Sequence, residues 1–214
     1  VLYDDGGEEN IKRGFRLAPC DPISCLAAGY LDIAEGRSDD CVQKFERAIE
    51  LDGTLFRPVV RIYVSRLSRP HLAISAAGDD IDRLRHVVGV LEEMQYKDLA
   101  EQTLERITDI LETKCSLADA SASEIALLGQ IHARRGNNEA AIECYRRALE
   151  LDYGRVEWRL ELARLLARME RESEAMREAR ICLRLRPGLK AAEELAGSLS
   201  LRLSAMDGQA VSPR

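Results

Sequence analysis

Three histidines, His71, His86 and His132, are the side chains of this chain whose ordinary titration lies nearest neutral pH. For nucleophilic catalysis each would need a Cys or Ser held at hydrogen-bonding spacing in a matching motif, and none has one. They fall on separate helical segments and read as surface or packing histidines. Two adjacent carboxylate pairs, Asp79-Asp80 and Glu92-Glu93, are the next candidates for acid–base work. Neighbouring residues on a helix point to different faces, which separates Glu92 from Glu93. Asp79 or Asp80 is better used as the N-cap of a following helix. The six cysteines (Cys20, Cys25, Cys41, Cys115, Cys144 and Cys182) form no C-x-x-C pair and have no histidine cluster beside them, so no metal site is expected. Cys20 and Cys25 are close enough in sequence for a disulfide, but without a secretory signal reduced thiols are the expectation. There is no P-loop, no G-x-G-x-x-G and no H-E-x-x-H. No enzyme, no catalytic residue and no cofactor are expected.

The elements that carry these side chains read as helices. Hydrophobic residues make up 46% of the 214 and charged residues 32%, while aromatics are only 5%. A chain rich in Ala, Leu, Glu and Arg and poor in β-branched and aromatic residues favours helix over sheet. The formal charge of −6 argues against nucleic acid or an anionic membrane as the main partner. No apolar run approaches the roughly 20 residues that span a bilayer. The start at Val1 and the lack of a signal-peptide pattern suggest a fragment or a processed product.

The most ordered stretch runs from Leu127 to Asp152. It reads as two short helices around a turn at Gly136-Asn137-Asn138, with Leu128-Gly129 on the first and Ala141, Tyr145 and Ala148 on the second. The pattern recurs at a constant offset of 100 residues: Gly29, Gly36, Cys41, Phe45, Ala48 and Asp52 match Gly129, Gly136, Ala141, Tyr145, Ala148 and Asp152. Such self-similarity marks an internal repeat. The L-G, A-x3-F/Y-x2-A skeleton with a period of about 34 residues resembles the tetratricopeptide repeat family. The resemblance implies an all-α, right-handed solenoid of helix-turn-helix units. It also assigns the residues: Gly29 and Gly129 allow close helix approach, Phe45 and Tyr145 fill the space beside them, and Ala48 and Ala148 let the next unit dock. Cys41 and Cys182 fall on small buried positions, where a thiol acts as a small hydrophobe. Gly36 and Gly136 sit where positive φ is often needed.

On this register residues 1–21 are the end of a preceding repeat, truncated here, with Leu17-Ala18-Pro19 as its closing signal. Residues 22–55 are a full unit and 56–80 a degenerate one, with Pro58 in the first turn of its first helix and Pro70 interrupting the chain after that helix. Residues 81–114 form a repeat-like unit in which Val88 replaces the usual small residue. Residues 115–121 are an insertion loop ending in a capping-box spacing, Ser121 with Glu124. Residues 122–155 and 156–189 are further units, 190–206 a C-terminal capping helix and 207–214 a disordered tail.

In the family the first helices of successive units line a groove that binds an extended or helical segment of another protein. Carried over by position, the groove residues are Ile23, Leu26, Tyr30 and Ile33, then Arg57, Val60 and Val64, then Arg85 and Glu92. The central unit adds Ser123, Ala126, Gln130 and Arg134, and the last adds Leu160, Arg164 and Arg168. The expectation is a peptide with an apolar anchor and a downstream acidic group, the latter met by Arg134, Arg164 and Arg168, since guanidinium forks match carboxylates. The competing reading is a solvated charged face, with Leu26 and Tyr30 covering a neighbouring repeat. Some relatives grip the C-terminal carboxylate of heat-shock chaperones with Lys and Asn at fixed first-helix positions. Leu26, Tyr30 and Leu127 stand there, which disfavours that role. Two functions stay open: a protein–protein interaction scaffold, or the soluble repeat region of a larger bacterial protein, such as a membrane-bound cell-envelope polysaccharide enzyme. Cytoplasm is the favoured compartment, the periplasm the alternative for a membrane-anchored parent. Nucleic-acid binding in the manner of pentatricopeptide arrays is disfavoured by charge, and a homodimer through exposed terminal repeats stays open.

Overall fold

The computed structural model describes residues 5–210, with side chains over 7–204. Regular structure among the described residues consists of twelve α-helices, one 3-10 turn and one π turn, with no strand. The chain divides into two compact units, Val1–Ile107 and Thr108–Arg214.

The first unit opens with α1 (Asp5–Leu17), followed by the hairpin of α2 (Pro22–Ala34) and α3 (Asp40–Leu51). Asp21 caps α2, accepting a hydrogen bond from the Ser24 amide at 2.6 Å, and Pro22 takes the first helical position, where a missing N–H costs nothing. The hairpin closes at Gly36, whose φ of +79° lets the Arg37 amide reach back to the Asp32 carbonyl at 2.8 Å. Across the hairpin, a Cβ on Gly29 would lie 2.5 Å from Cε1 of the buried Phe45 ring. Only glycine admits this approach.

After a 3-10 turn over Gly53–Leu55, α4 (Phe56–Arg61) passes directly into a π turn at Ile62–Arg66, and α5 (Pro70–Ala77) follows. Pro70 is buried at the first helical position of α5, so it starts that helix. The helix α6 (Ile81–Glu93) is capped by Asp80, which accepts from the Arg83 amide at 3.0 Å. The next helix, α7 (Lys97–Ser116), spans the boundary between the units. Cys115 and Ser116, expected in a loop, belong to its last turn.

The second unit contains α8 (Ala122–Arg134), α9 (Asn138–Leu151), α10 (Val156–Arg168), α11 (Glu172–Leu185) and α12 (Lys190–Ala210). The expected capping box is present: the Glu124 amide donates to Ser121 Oγ at 3.3 Å and the Ser121 amide to Glu124 Oε2 at 2.9 Å. The α8–α9 hairpin repeats the first, with Gly136 at φ +80° and a Cβ on Gly129 3.0 Å from Cβ of Cys144. The α10–α11 hairpin closes the same way with Glu170 at φ +58°. Val156, Leu160, Cys182 and Ala192 form a small terminal core that Leu189 and Leu195 help to cover, which packs α12 onto α10 and α11. That helix continues to Ala210, four residues past the end expected for it, and residues 211–214 of the expected tail lie outside the described residues.

Gly29→Ala forces a buried ring to move, costing about 1–3 kcal/mol, against about 1 kcal/mol of gained helix propensity. It is expected to lower the urea midpoint, and Gly129→Ala to lower it by less, because the contact there is looser; equal shifts would contradict the packing argument. The Glu124 carboxyl, held by a hydrogen bond from Lys114 Nζ at 2.5 Å and then by the Ser121 amide, is pulled down to about 2. A carboxylate with a lower pKa folded than unfolded adds stability above its ordinary value of 4.5 and loses it as pH falls toward the folded value. Urea unfolding at about pH 6 and about pH 3 should therefore show a falling midpoint, and a smaller fall in Glu124→Gln.

Candidate partner-binding surfaces

In the first unit, α2 turns Cys25, Ala28, Gly29, Leu31 and Asp32 inward. The opposite stripe is Ile23, Leu26, Tyr30 and Ile33, spaced three, four and three residues apart, which places all four on one helix face. Ile23 is 59% and Tyr30 46% exposed, while Leu26 and Ile33 are half-buried. Tyr30 stands edge-on to Phe45 at 5.9 Å, and Phe45 edge-on to Tyr63 at 6.0 Å, so the exposed ring rests on the core.

The C-terminal end of this stripe is anchored by Asp32, only 1% exposed. Its carboxylate accepts from Arg37 Nη2 at 2.5 Å and from Lys44 Nζ. Arg37 also pairs with Glu35, which Lys12 of α1 meets at 2.8 Å. The hydrogen bond from Lys12 is the main cause that lowers the Glu35 carboxyl, and the same bond raises Lys12. Lys44 Nζ also lies 5.5 Å from the centre of the Phe15 ring of α1. A buried charge needs such partners. One hundred residues on, His132, Asn137 and Cys144 stand in place of Asp32, Arg37 and Lys44, so the second hairpin lacks the cluster.

Arg57 and Arg85 are exposed, as expected of surface contacts. Arg85 Nη1 lies 3.6 Å from Asp82. Arg57 lines a concavity of about 360 Å³ together with Phe56, Asp80, Arg83 and His86. Burial, then the charge of Arg57, lowers the His86 pKa, which keeps it neutral at pH 7; its ring stacks edge-on to Phe56 at 6.2 Å. Val60 and Val64 do not line a surface. They are 0% and 2% exposed, because Val59, Val60, Ile62, Tyr63 and Val64 all point inward. The polar side of this segment is carried by Arg57, Arg61 and Ser65, all exposed, and the π turn widens the helix where Tyr63 enters the core.

In the second unit, Gln130 and Arg134 of α8 and Arg164 and Arg168 of α10 are exposed, whereas Ala126 and Leu160 are buried and form part of the packing. Arg164 Nη1 donates to Glu161 Oε1 at 2.6 Å, with both side chains about half exposed. Such a pair contributes little and yields readily to a ligand carboxylate. The charge of Arg168 reaches the Tyr145 hydroxyl, which burial, helped by Glu161, pushes up to about 12. Among the described residues no group of three or more His, Cys, Asp or Glu side chains could hold a metal, and no helix is long and apolar enough to cross a membrane.

Residues 122–155, the hairpin of α8 and α9 with its capping box and the glycine approach at Gly129, match the tetratricopeptide repeat family. That hairpin is a tetratricopeptide repeat. Its fold is similar to TTC0263, a thermophilic tetratricopeptide-repeat protein of Thermus thermophilus, at 19% identity and a TM-score of 0.50, over 84% of this chain and 99% of that one. It is also similar to yeast Tom70, at 13% identity and a TM-score of 0.52, over 95% of this chain and 45% of that one. A third similar structure is Naa15/Naa10 bound to HypK-THB, at 15% identity and a TM-score of 0.53, over 91% of this chain and 31% of the other. Comparison with curated proteins by sequence gives no match. Tetratricopeptide repeats form a protein–protein interaction fold whose units have a first and a second helix. The residues expected at the surface lie on the first helices α2, α4 with its π turn, α6, α8 and α10.

Sequence reasoning missed two features of this chain. One is the Asp32 cluster, whose only trace is a charged residue on the inward face of an apolar helix. The other is on the second helix α11, where Arg177, Arg180 and Arg184 are all exposed and line a concavity of about 470 Å³ with Met176 and Leu183. Their spacing of three and four residues was the readable mark.

Removing one partner of a buried hydrogen-bonded charge costs about 1–3 kcal/mol. Asp32→Ala should therefore speed amide exchange at the end of α2 and the start of α3, with α8 and α9 unchanged; equal protection in both proteins would show that the cluster holds nothing in place.

Proposed function

We propose that this chain is a non-catalytic interaction module whose first helices bind a peptide or helical segment of another protein. The observation that carries the reading is the stripe of Ile23, Leu26, Tyr30 and Ile33, an apolar helix face left open in a chain whose other first helices expose mainly polar side chains. An apolar anchor of the ligand sits against this stripe, in the manner of helix and peptide grooves elsewhere. Acidic groups of the ligand are met by arginines, with Arg57 and Arg85 in the first unit and Arg134, Arg164 and Arg168 in the second supporting that preference. Arginine suits this task because its planar fork takes a carboxylate in two parallel hydrogen bonds. The net charge of −6 makes an extended nucleic-acid surface a poor alternative.

The test is a titration, followed by fluorescence anisotropy, of a labelled peptide with one Leu or Phe anchor and two downstream Glu residues. Ile23→Asp is expected to weaken binding at least tenfold, roughly the loss of one well-buried contact. Arg57→Glu/Arg85→Glu, in the same unit as Ile23, is expected to weaken the acidic peptide and leave its Gln counterpart unchanged. Affinity indifferent to both variants removes the reading.

A further inference from the structure

Two ion pairs link α9 to α11 and the residue that precedes it. Arg146 Nη2 meets Glu174 Oε2 at 2.7 Å, and Arg171 Nη1 meets Glu139 Oε2 at 3.3 Å. The flank that α9 offers to the next second helix therefore includes Glu139 and Arg146. The same positions on α11, 34 residues later, are Ser173 and Arg180. Both line the 470 Å³ concavity, whose apolar floor is Met176 and Leu183, the counterparts of the buried Ile142 and Leu149 on α9. Among the described residues α12 follows α11 in the manner of a first helix, packed on α10 and α11 through the terminal core, and no second helix follows it. The concavity thus occupies the place where a further second helix would lie.

Its charge differs from that of the other second helices. The positions of Arg177, Arg180 and Arg184 hold Glu143, Arg146 and Glu150 on α9 and Gln43, Glu46 and Glu50 on α3. Arg177 has Glu178 at 3.5 Å, the next residue on its own helix. Arg180, whose counterpart Arg146 is paired across to Glu174, has no acid opposite it among the described residues of the second unit. Three exposed guanidinium groups in a row beside an apolar floor, in a chain with net charge −6, match an acidic amphipathic helix and repel a basic one.

We propose that the open flank of α11 docks an acidic amphipathic helix of a partner protein, which takes the seat of a repeat's second helix, sets an apolar residue on Met176 and Leu183 and pairs its carboxylates with Arg177, Arg180 and Arg184. This surface is separate from the first-helix faces and does not depend on them.

The probe is a side-chain-stapled 18-residue helix with Glu and Leu on one face at helical spacing, titrated into the full chain by fluorescence anisotropy. Two controls go with it, a scramble of the same composition and a version with Lys for every Glu. The expected result is that the Glu helix binds, that Arg180→Glu/Arg184→Glu weakens it at least tenfold, and that the Lys helix then binds this variant better than it binds the original chain. Arg180→Gln/Arg184→Gln, which keeps both positions polar, should weaken the Glu helix without recruiting the Lys helix. The loss caused by Arg180→Glu/Arg184→Glu should be the same size in an Arg134→Glu/Arg168→Glu background, which separates this site from the first-helix surface. Absence of binding, equal binding of the scramble, or equal affinity in the charge-reversed variant overturns the proposal. So does tight binding of anionic vesicles or an oligonucleotide, with no response to the Glu helix, since either would make the stripe a general anion surface.

Discussion

The α2–α3 and α8–α9 hairpins depend on one contact, side chains of the second helix lying where the first helix has no Cβ. At Gly29 the Phe45 ring carbons come within 2.5–3.0 Å of the missing atom. At Gly129 the space is shared by Cys144, the Ala141 carbonyl and Tyr145, at 3.0–3.4 Å. This approach sets how the two helices are rotated about their axes, and hence which side chains are inside. In α2 the inward set of Cys25, Ala28 and Gly29 leaves Ile23, Leu26 and Tyr30 outside. The exposed stripe is therefore a consequence of the packing and needs no separate cause. Phe45 also transmits the arrangement, since its ring touches Tyr30 on one side and Tyr63 on the other.

The hairpin turns show how tolerant the rest of the unit is by comparison. Gly36 and Gly136 take positive φ, but so do Gln95 and Glu170 at the corresponding turns, and Ser68 after the π turn. Each is followed by an amide that reaches back five or six residues: Arg37 to Asp32, Tyr96 to Leu91, Asn137 to His132, Arg171 to Leu166 and Arg69 to Tyr63. The closure satisfies carbonyls that the helix end would leave open. A strained φ at a non-glycine residue is accepted because the alternative is an unpaired carbonyl at the same place. At Gly29 and Gly129 a larger residue has no such compensation, since the facing helix already fills the volume a Cβ would take.

This difference explains how much could be read from the residues alone. The helix pairs, the crossing glycines, the Asp80 cap and the Ser121–Glu124 box follow from local chemistry and spacing, and these are rules that act over a few residues. The two valines assigned to the surface, Val60 and Val64, illustrate the limit. Transferring positions from a full repeat assumes a regular helix, and the π turn at Ile62–Arg66 breaks that register at Val64, while Val60 lies in the α-helical turn before it and is buried beside Val59. Asp32 was equally hidden, because its partners Arg37 and Lys44 come from the turn and from the opposite helix. The spacing of Arg57, Arg61 and Ser65 did carry a usable warning, since it marks the polar side that this helix keeps, and neither valine belongs to it.

A repeat also lets the same position serve two ends, depending on what lies next to it. Arg146 and Arg180 are equivalent by spacing, and the first is spent on an ion pair with the neighbouring helix while the second faces a hollow. Ile142 and Leu149 are buried on α9, and Met176 and Leu183 form the floor of that hollow. In a stack each unit contacts only its neighbours, so the geometry that binds α11 to α9 is already built into the far side of α11. Two exchanges, arginine at 177 and 184 where α9 has Glu143 and Glu150, leave the shape of that seat intact and alter only the charge it accepts. Specificity of this kind works by exclusion as much as by attraction, since a helix with the acid-and-base pattern of α11's own inner flank would bring arginine against arginine.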